Sequence, residues 1–465
     1  LLQSIQMVLR AYKILFPMIA GLVLALFFSL SNAIAQVDVA KLSWQMFSLQ
    51  GDEKRAVVEE LVATNDKSLI PTFVLAMRWT GSNIYVAEAL SKLSGEKITH
   101  WHEAYEFQEL NPQIKPHASF AAIKLKLLGN TDKKFLEFFE GDFGKSENMK
   151  IRLEEITWGG VLVDGITSLD NPKMIEAKAA DYLLDDDLVF GVEINGDTRA
   201  YPLRILGWHE MFNDTIGGVP IALAYCTLCG AGILFETKAE GRETPFVFGS
   251  SGLLYRSNKL MFDRETKSLW NQFTGKPVVG ELVNSNIQLK ILPNTITSWV
   301  EWKAQNPQTK VLSIDTGYAR NYGSGVTYQA YFASPDLMFP AVVRDESRSK
   351  RKDYVFGIRD VGAAKAWPIE VFAKQPILND RVGLKNVVLI GDAKTRTVRA
   401  YERQSDEVFK FKNGKLASQN TFWSREEGFL VSKDGKQKRA RVAGHVAFWF
   451  AWDNYLGVKS ALYKE

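Results

Sequence analysis

Cys226 and Cys229 are the only cysteines in the chain, and their two-residue spacer sets the chemistry open to them. Two thiolates at this spacing can both reach one metal ion, at about 2.3 Å for zinc. His209 stands upstream as a third donor, and Met211 or Met261 as a soft fourth. Thiolate, imidazole and thioether together favour copper(I), with zinc next. The same spacing suits a thiol–disulfide redox pair, and two cysteines in an exported chain also admit a structural disulfide. A spacer this short closes a tiny loop, so a purely structural crosslink would remove little unfolded-state entropy. The helix that usually opens at the first cysteine of a redox pair is not evident over 227–235. The metal reading leads, with the other two left open.

A second group of polar residues lies around this pair. Glu210 and Asp214 have the side chains for acid–base work. The run 249–264 sets small and charged residues among apolar ones, as in a pocket wall, with Arg256 and Asp263 as a candidate ion pair. A hairpin with one solvated face explains the same run. His100, His102, His117 and His445 have no ligand spacing to the cysteines. A phosphate loop and a Gly-x-Ser-x-Gly elbow are absent, and so is a zinc-protease His-Glu-x-x-His, since position 213 is Asn.

The elements that must position these residues are legible from periodicity. From about residue 38 to 141 the pattern is helical, with Ile70, Phe73, Val74 and Met77 at i, i+3, i+4 and i+7. Val86, Leu90 and Leu93 continue it. Paired helices with short breaks resemble a degenerate HEAT-type array spanning 36–150, which offers either a surface for a protein partner or a cap on the next domain. Beyond Trp158 short strands take over. Residues 188–194 lead into Asn195-Gly196, a strong hairpin signal, and 219–225, 232–236 and 246–249 read as strands. Short helices are expected over 203–212 and 297–306. The overall class is α+β.

The β-rich part then repeats. Residues 189–203 align without gaps on 355–369, an offset of 166 (355 − 189). The same offset sets Asn213-Asp214 on Asn379-Asp380, and Trp299–Trp302 resembles Trp449–Trp452. Two related lobes follow, 155–345 and 346–465, packed face to face. Residues shared by both copies, Asp214 among them, belong to the scaffold. His209, Cys226 and Cys229 occur in the first lobe alone, opposite Gln375, Asp392 and Thr395.

With these residues in place, the chain resembles a bacterial family catalogued as domain of unknown function 3179. Arg199–Leu206, Trp208-His-Glu-Met211, Asn213-Asp214, Tyr225-Cys-Thr-Leu-Cys229 and the 249–270 run carry the resemblance, over about 155–465. It implies an exported or membrane-associated protein and brings no reaction with it.

Export is also written at the start. Arg10 and Lys13 precede an apolar run over 14–30, and small residues at Ala33 and Ala35 set cleavage before Gln36. An uncleaved anchor over 14–30 is the rival, but 17 residues with Pro17 and Gly21 are short against the roughly 20 needed to span a bilayer. A periplasmic or secreted protein with no later span is expected. The formal charge of +4 falls near +2 (4 − 2) without Arg10 and Lys13, which gives no reason to expect nucleic acid. The function expected is soft-metal handling or redox chemistry at the cysteines. Its rivals are a thiol–disulfide oxidoreductase and an interaction protein that uses its helical array.

Overall fold

The computed structural model describes residues 38–140, 146–344, 346–360, 362–456 and 460–464. The expected leader, including the 14–30 run, lies outside the described residues. The chain divides into two compact units, one ending at Asp66 and the other starting at Lys67.

In the first unit, helices Val39–Ser48 and Gly51–Ala63 pack on each other. Asp38 caps the first by accepting from the Lys41 amide at 3.0 Å.

The second unit opens with helices Ile70–Trp79, Ile84–Ser94, Trp101–Leu110 and Phe120–Thr131. The i, i+3, i+4 apolar residues of the first are buried as their spacing requires. Asn83 caps the second through the Tyr85 amide at 3.0 Å, and Gly95 ends it in the left-handed region. Side-chain bonds cross the domain boundary expected near 150. Gln108 Nε2 donates to the Glu154 carbonyl at 2.9 Å, and Arg78 Nη2 to the Trp158 carbonyl at 3.0 Å. Tyr105 and the buried Lys124 also donate to carbonyls in 153–156. These helices therefore cap the β-rich region that follows.

That region forms sheets in both halves. In the first half, Lys290–Leu292, Ala231–Glu236, Val219–Cys226, Met211–Ile216 and Leu169–Asp170 lie side by side, in that order. A second sheet carries Ile156–Trp158, Phe248–Tyr255, Asn258–Asp263, Leu269–Asn271 and Lys276–Val279. In the second half an eight-stranded sheet runs from Ile377–Val382 to Phe409–Lys412. Asn379 joins those two end strands by bonds of 2.8 Å to both the Phe409 amide and carbonyl, so the sheet is a nearly closed barrel. The helix expected over 203–212 is Leu203–His209, because Glu210 turns left-handed (φ 54°) and the next strand starts at Met211.

Element bounds recur at the offset of 166. Leu188–Ile194, Asp197–Pro202, Met211–Ile216, Val219–Cys226 and Ala231–Glu236 have counterparts in Tyr354–Asp360, Ala363–Pro368, Ile377–Val382, Lys385–Asp392 and Thr397–Glu402. From Thr295–Ser298 and His445–Phe448 onward the offset is 150 (445 − 295). Side-chain bonds recur too. Asp214 accepts from Tyr201 at 2.6 Å and Arg199 at 2.7 Å, and Asp380 from Trp367 and Lys365 at 2.8 Å. One apolar core draws Phe190, Tyr201 and Leu223 together with Phe356, Trp367 and Leu389.

A buried dithiol beside a lysine–glutamate pair

The cysteines sit on a hairpin. Cys226 ends Val219–Cys226 and pairs with Ala231 across Thr227–Gly230. The turn is closed by the Cys229 amide donating to the Cys226 carbonyl at 3.1 Å. Gly230 is required there, since φ is +57° and a Cβ would stand 2.9 Å from the Tyr354 ring. The sulfurs face each other at 2.6 Å, and both residues are buried.

Cys229 is the more enclosed thiol. Asn258 Nδ2 donates to its sulfur at 3.2 Å, and the amide of Gln272 anchors Asn258 at 2.7 Å. Burial and then the neighbouring Cys226 push the Cys229 thiol well above its usual range. Phe448, from the second half, donates its amide to the Cys229 carbonyl at 2.8 Å, and Tyr331 donates its hydroxyl to the Leu228 carbonyl at 2.6 Å.

Cys226 instead lines a small cavity of about 60 Å³, shared with Glu210, Lys259, Tyr328 and Phe339. Lys259 Nζ lies 3.3 Å from Glu210 Oε2 and 3.2 Å from the Glu210 carbonyl, both residues being buried. Thr227, between the cysteines, donates its hydroxyl to the other carboxylate oxygen. The left-handed backbone at Glu210 aims this carboxylate under the hairpin. Sequence reasoning noted Glu210 but missed Lys259 and Thr227. Lys259 sits inside the 249–264 run, whose strand alternation is the one available signal. A larger cavity of about 490 Å³ is lined by Tyr225, Arg204, Gln329 and Arg396 among others.

The remaining expected ligands go elsewhere. Both ring nitrogens of His209 are engaged, Nδ1 by the Thr167 carbonyl at 2.8 Å and Nε2 by the Tyr322 hydroxyl at 2.6 Å. Burial also lowers its pKa. Met211 and Met261 pack with Phe248 and Trp270 in a core cluster distinct from that of the cysteines. Among the described residues no group of three or more His, Cys, Asp or Glu is arranged to hold a metal ion. The cysteines thus stand as a two-donor set without the third and fourth ligands expected for copper or zinc.

Nor do Arg256 and Asp263 pair. Arg256 reaches Glu155 at 3.1 Å and Glu109 at 3.7 Å from a tight turn in which both Arg256 and Ser257 are left-handed. Asp263 closes its own turn, accepting from the Thr266 amide at 2.7 Å and from Trp270 Nε1 at 2.9 Å. Asp214 is held by Arg199 and Tyr201, as a scaffold residue should be.

Fold and site together describe an α+β protein with a buried dithiol set in its β-rich region. The chain belongs to the family described as Protein of unknown function (DUF3179), whose model matches residues 163–458. No curated protein and no solved structure matches it. Among the described residues no helix is long and apolar enough to cross a membrane.

Proposed function

We propose that Cys226 and Cys229 form a reversible dithiol–disulfide centre in an exported protein. The facing of the two buried sulfurs across one tight hairpin turn carries this reading, since disulfide formation requires two cysteines already held side by side. Cys226, which lines the cavity, is the attacking sulfur. It bonds to one sulfur of a small disulfide and expels the other as a thiol. Cys229 then loses its proton, attacks Cys226 and releases the second thiol. The protein is oxidised by two electrons and the disulfide is reduced to two thiols. Lys259 and Glu210 line the cavity where the first thiol proton leaves.

The test is a redox titration of the full chain in glutathione buffers, with acid trapping and alkylation. A reversible transition of both thiols, abolished in Cys226→Ser, is expected. Thiols that stay reduced across the whole range would sink the reading. A copper or zinc ion held by the two sulfurs is the weaker alternative, and stoichiometric metal in the purified reduced protein would favour it.

The same reading takes the two β-rich halves as a duplication, supported by the repeated strand bounds and the matching Asp214 and Asp380 bonds. Export rests on the residue pattern of 10–35. A HEAT-like ancestry for the helices rests on their paired pattern, and their outer face is where a protein partner would dock.

A further inference from the structure

A third cavity, sharing no lining residue with the one at Cys226, has a volume of about 360 Å³ and is lined by Gln288, Leu289, Lys290, Ile291, Arg359 and His445, with glycine and alanine backbone between. Arg359 Nη2 and His445 Nε2 are sealed from solvent, and neither has a hydrogen-bond partner. No carboxylate lies within ion-pair distance of Arg359 among the described residues; the guanidinium lies 5.6 Å from the centre of the Phe273 ring and close enough to His445 to disfavour a second charge there. Lys290, on the rim, is paired with Glu236 at 3.1 Å. Arg359 as a whole is half-buried, and a guanidinium partly withdrawn from water costs more without an anion beside it than with one.

The corresponding place in the other half shows what is missing. At the offsets of 166 and 150, Arg359 and His445 fall on Glu193 and Thr295, and Ile291 falls on Arg441. There Thr295 donates to Glu427 at 3.1 Å, and Arg441 donates to the Thr295 hydroxyl at 2.9 Å and to Glu427 at 3.2 Å. The protein supplies its own carboxylate on that side. On the Arg359 side a cation stands in place of Glu193 and the apolar Ile291 in place of Arg441, and no carboxylate is among the described residues that line the cavity.

We propose that the cavity lined by Arg359 and His445 binds a small organic carboxylate. The guanidinium takes the carboxylate through paired N–H donors, the geometry that Arg offers best. Leu289 and Ile291 cover a short aliphatic body. These apolar walls favour a carboxylate over inorganic phosphate, which needs donors on all sides. Burial, with no partner to oppose it, already lowers the Arg359 pKa to about 10, consistent with a cation held ready for an anion.

The test is calorimetric titration of the full chain with butyrate, with butyramide as its neutral isostere and with inorganic phosphate. Saturable butyrate binding is expected, at least about tenfold tighter than that of either comparison ligand, as for loss of a charged hydrogen-bonded pair. Arg359→Met should lose it, and because that change removes a half-buried cation with no carboxylate partner the variant should fold. His445→Gln serves as a second variant, expected to weaken butyrate binding. Equal binding of butyramide, stronger binding of phosphate, unchanged butyrate binding in Arg359→Met, or no saturable butyrate binding would each overturn the proposal. None of these outcomes depends on the redox state of Cys226 and Cys229.

Discussion

At the scale of single residues, the site is governed by which groups share burial. Lys259 and Glu210 are tolerable inside only as a pair, because either charge alone would be left desolvated. Lys259→Met is expected to destabilise the protein by about 3–5 kcal/mol in urea unfolding. Adding Glu210→Gln should recover much of that loss, whereas an additive double variant would mean that the two do not interact. The cysteines should behave differently. A disulfide across so short a loop stabilises by at most about 2 kcal/mol, so oxidised and reduced protein should unfold at nearly the same denaturant concentration. A large gap between them would point to a structural staple in place of a redox centre.

At the scale of elements, two close contacts correspond between the halves, each a tryptophan lying on a glycine. A Cβ at Gly191 would stand 2.2 Å from the Trp302 ring, and one at Gly357 2.0 Å from the Trp452 ring. Each tryptophan is further fixed by its indole N–H, which bonds Thr309 at 2.9 Å and Ser460 at 2.6 Å respectively. Gly191→Ala and Gly357→Ala should each cost about 1–3 kcal/mol or more through overpacking, measured by thermal unfolding. Similar losses at both sites are expected if the two halves share one scaffold. The helices obey another constraint: their buried donors end on carbonyls of 153–158. A chain starting at Lys67 should therefore unfold cooperatively, whereas one starting at 151 should be readily proteolysed, having lost Tyr105, Gln108 and Lys124. Equal protease resistance of the two would contradict this.

At the scale of the whole molecule, one ion network ties the halves together and sets a pH dependence. Glu427 binds Arg399 at 2.6 Å and Arg441 at 3.2 Å, Arg399 continues to Gln305 at 3.2 Å, and Arg441 to the Asn294 carbonyl at 3.2 Å. Desolvation alone would raise the Glu427 pKa, but the two guanidinium groups outweigh it and hold the carboxyl down to about 2. A depressed folded-state pKa contributes stability that is present above the unfolded value of about 4.3 and lost as pH falls toward 2. The contribution is on the order of 3 kcal/mol. Glu427→Gln should flatten stability over pH 4.3 to 2 in denaturant titrations; an unchanged slope would locate acid sensitivity elsewhere.

How far the sequence went follows from the range of each interaction. The helix at Ile70–Trp79, the hairpin at Asn195-Gly196 and the approach of Cys226 to Cys229 depend on neighbours a few residues away, so periodicity, turn chemistry and spacing were enough to read them. The recurrence of strand bounds at the offset of 166 was legible because it is an alignment of local patterns. His209 shows the limit of that reasoning. Its presence in one half marked a real difference, but its partners, Thr167 and Tyr322, lie 42 and 113 positions away. Arg256 likewise reaches Glu155 across 101 positions and leaves Asp263 to its own turn. By itself, then, the sequence determined the α+β class and the closeness of the two cysteines, because covalent geometry and local pattern dictate these. Only the tertiary structure decided that Lys259 meets Glu210 beside Cys226, that His209 is spoken for, and that Arg359 and His445 share a cavity with no carboxylate, because those outcomes rest on long-range packing.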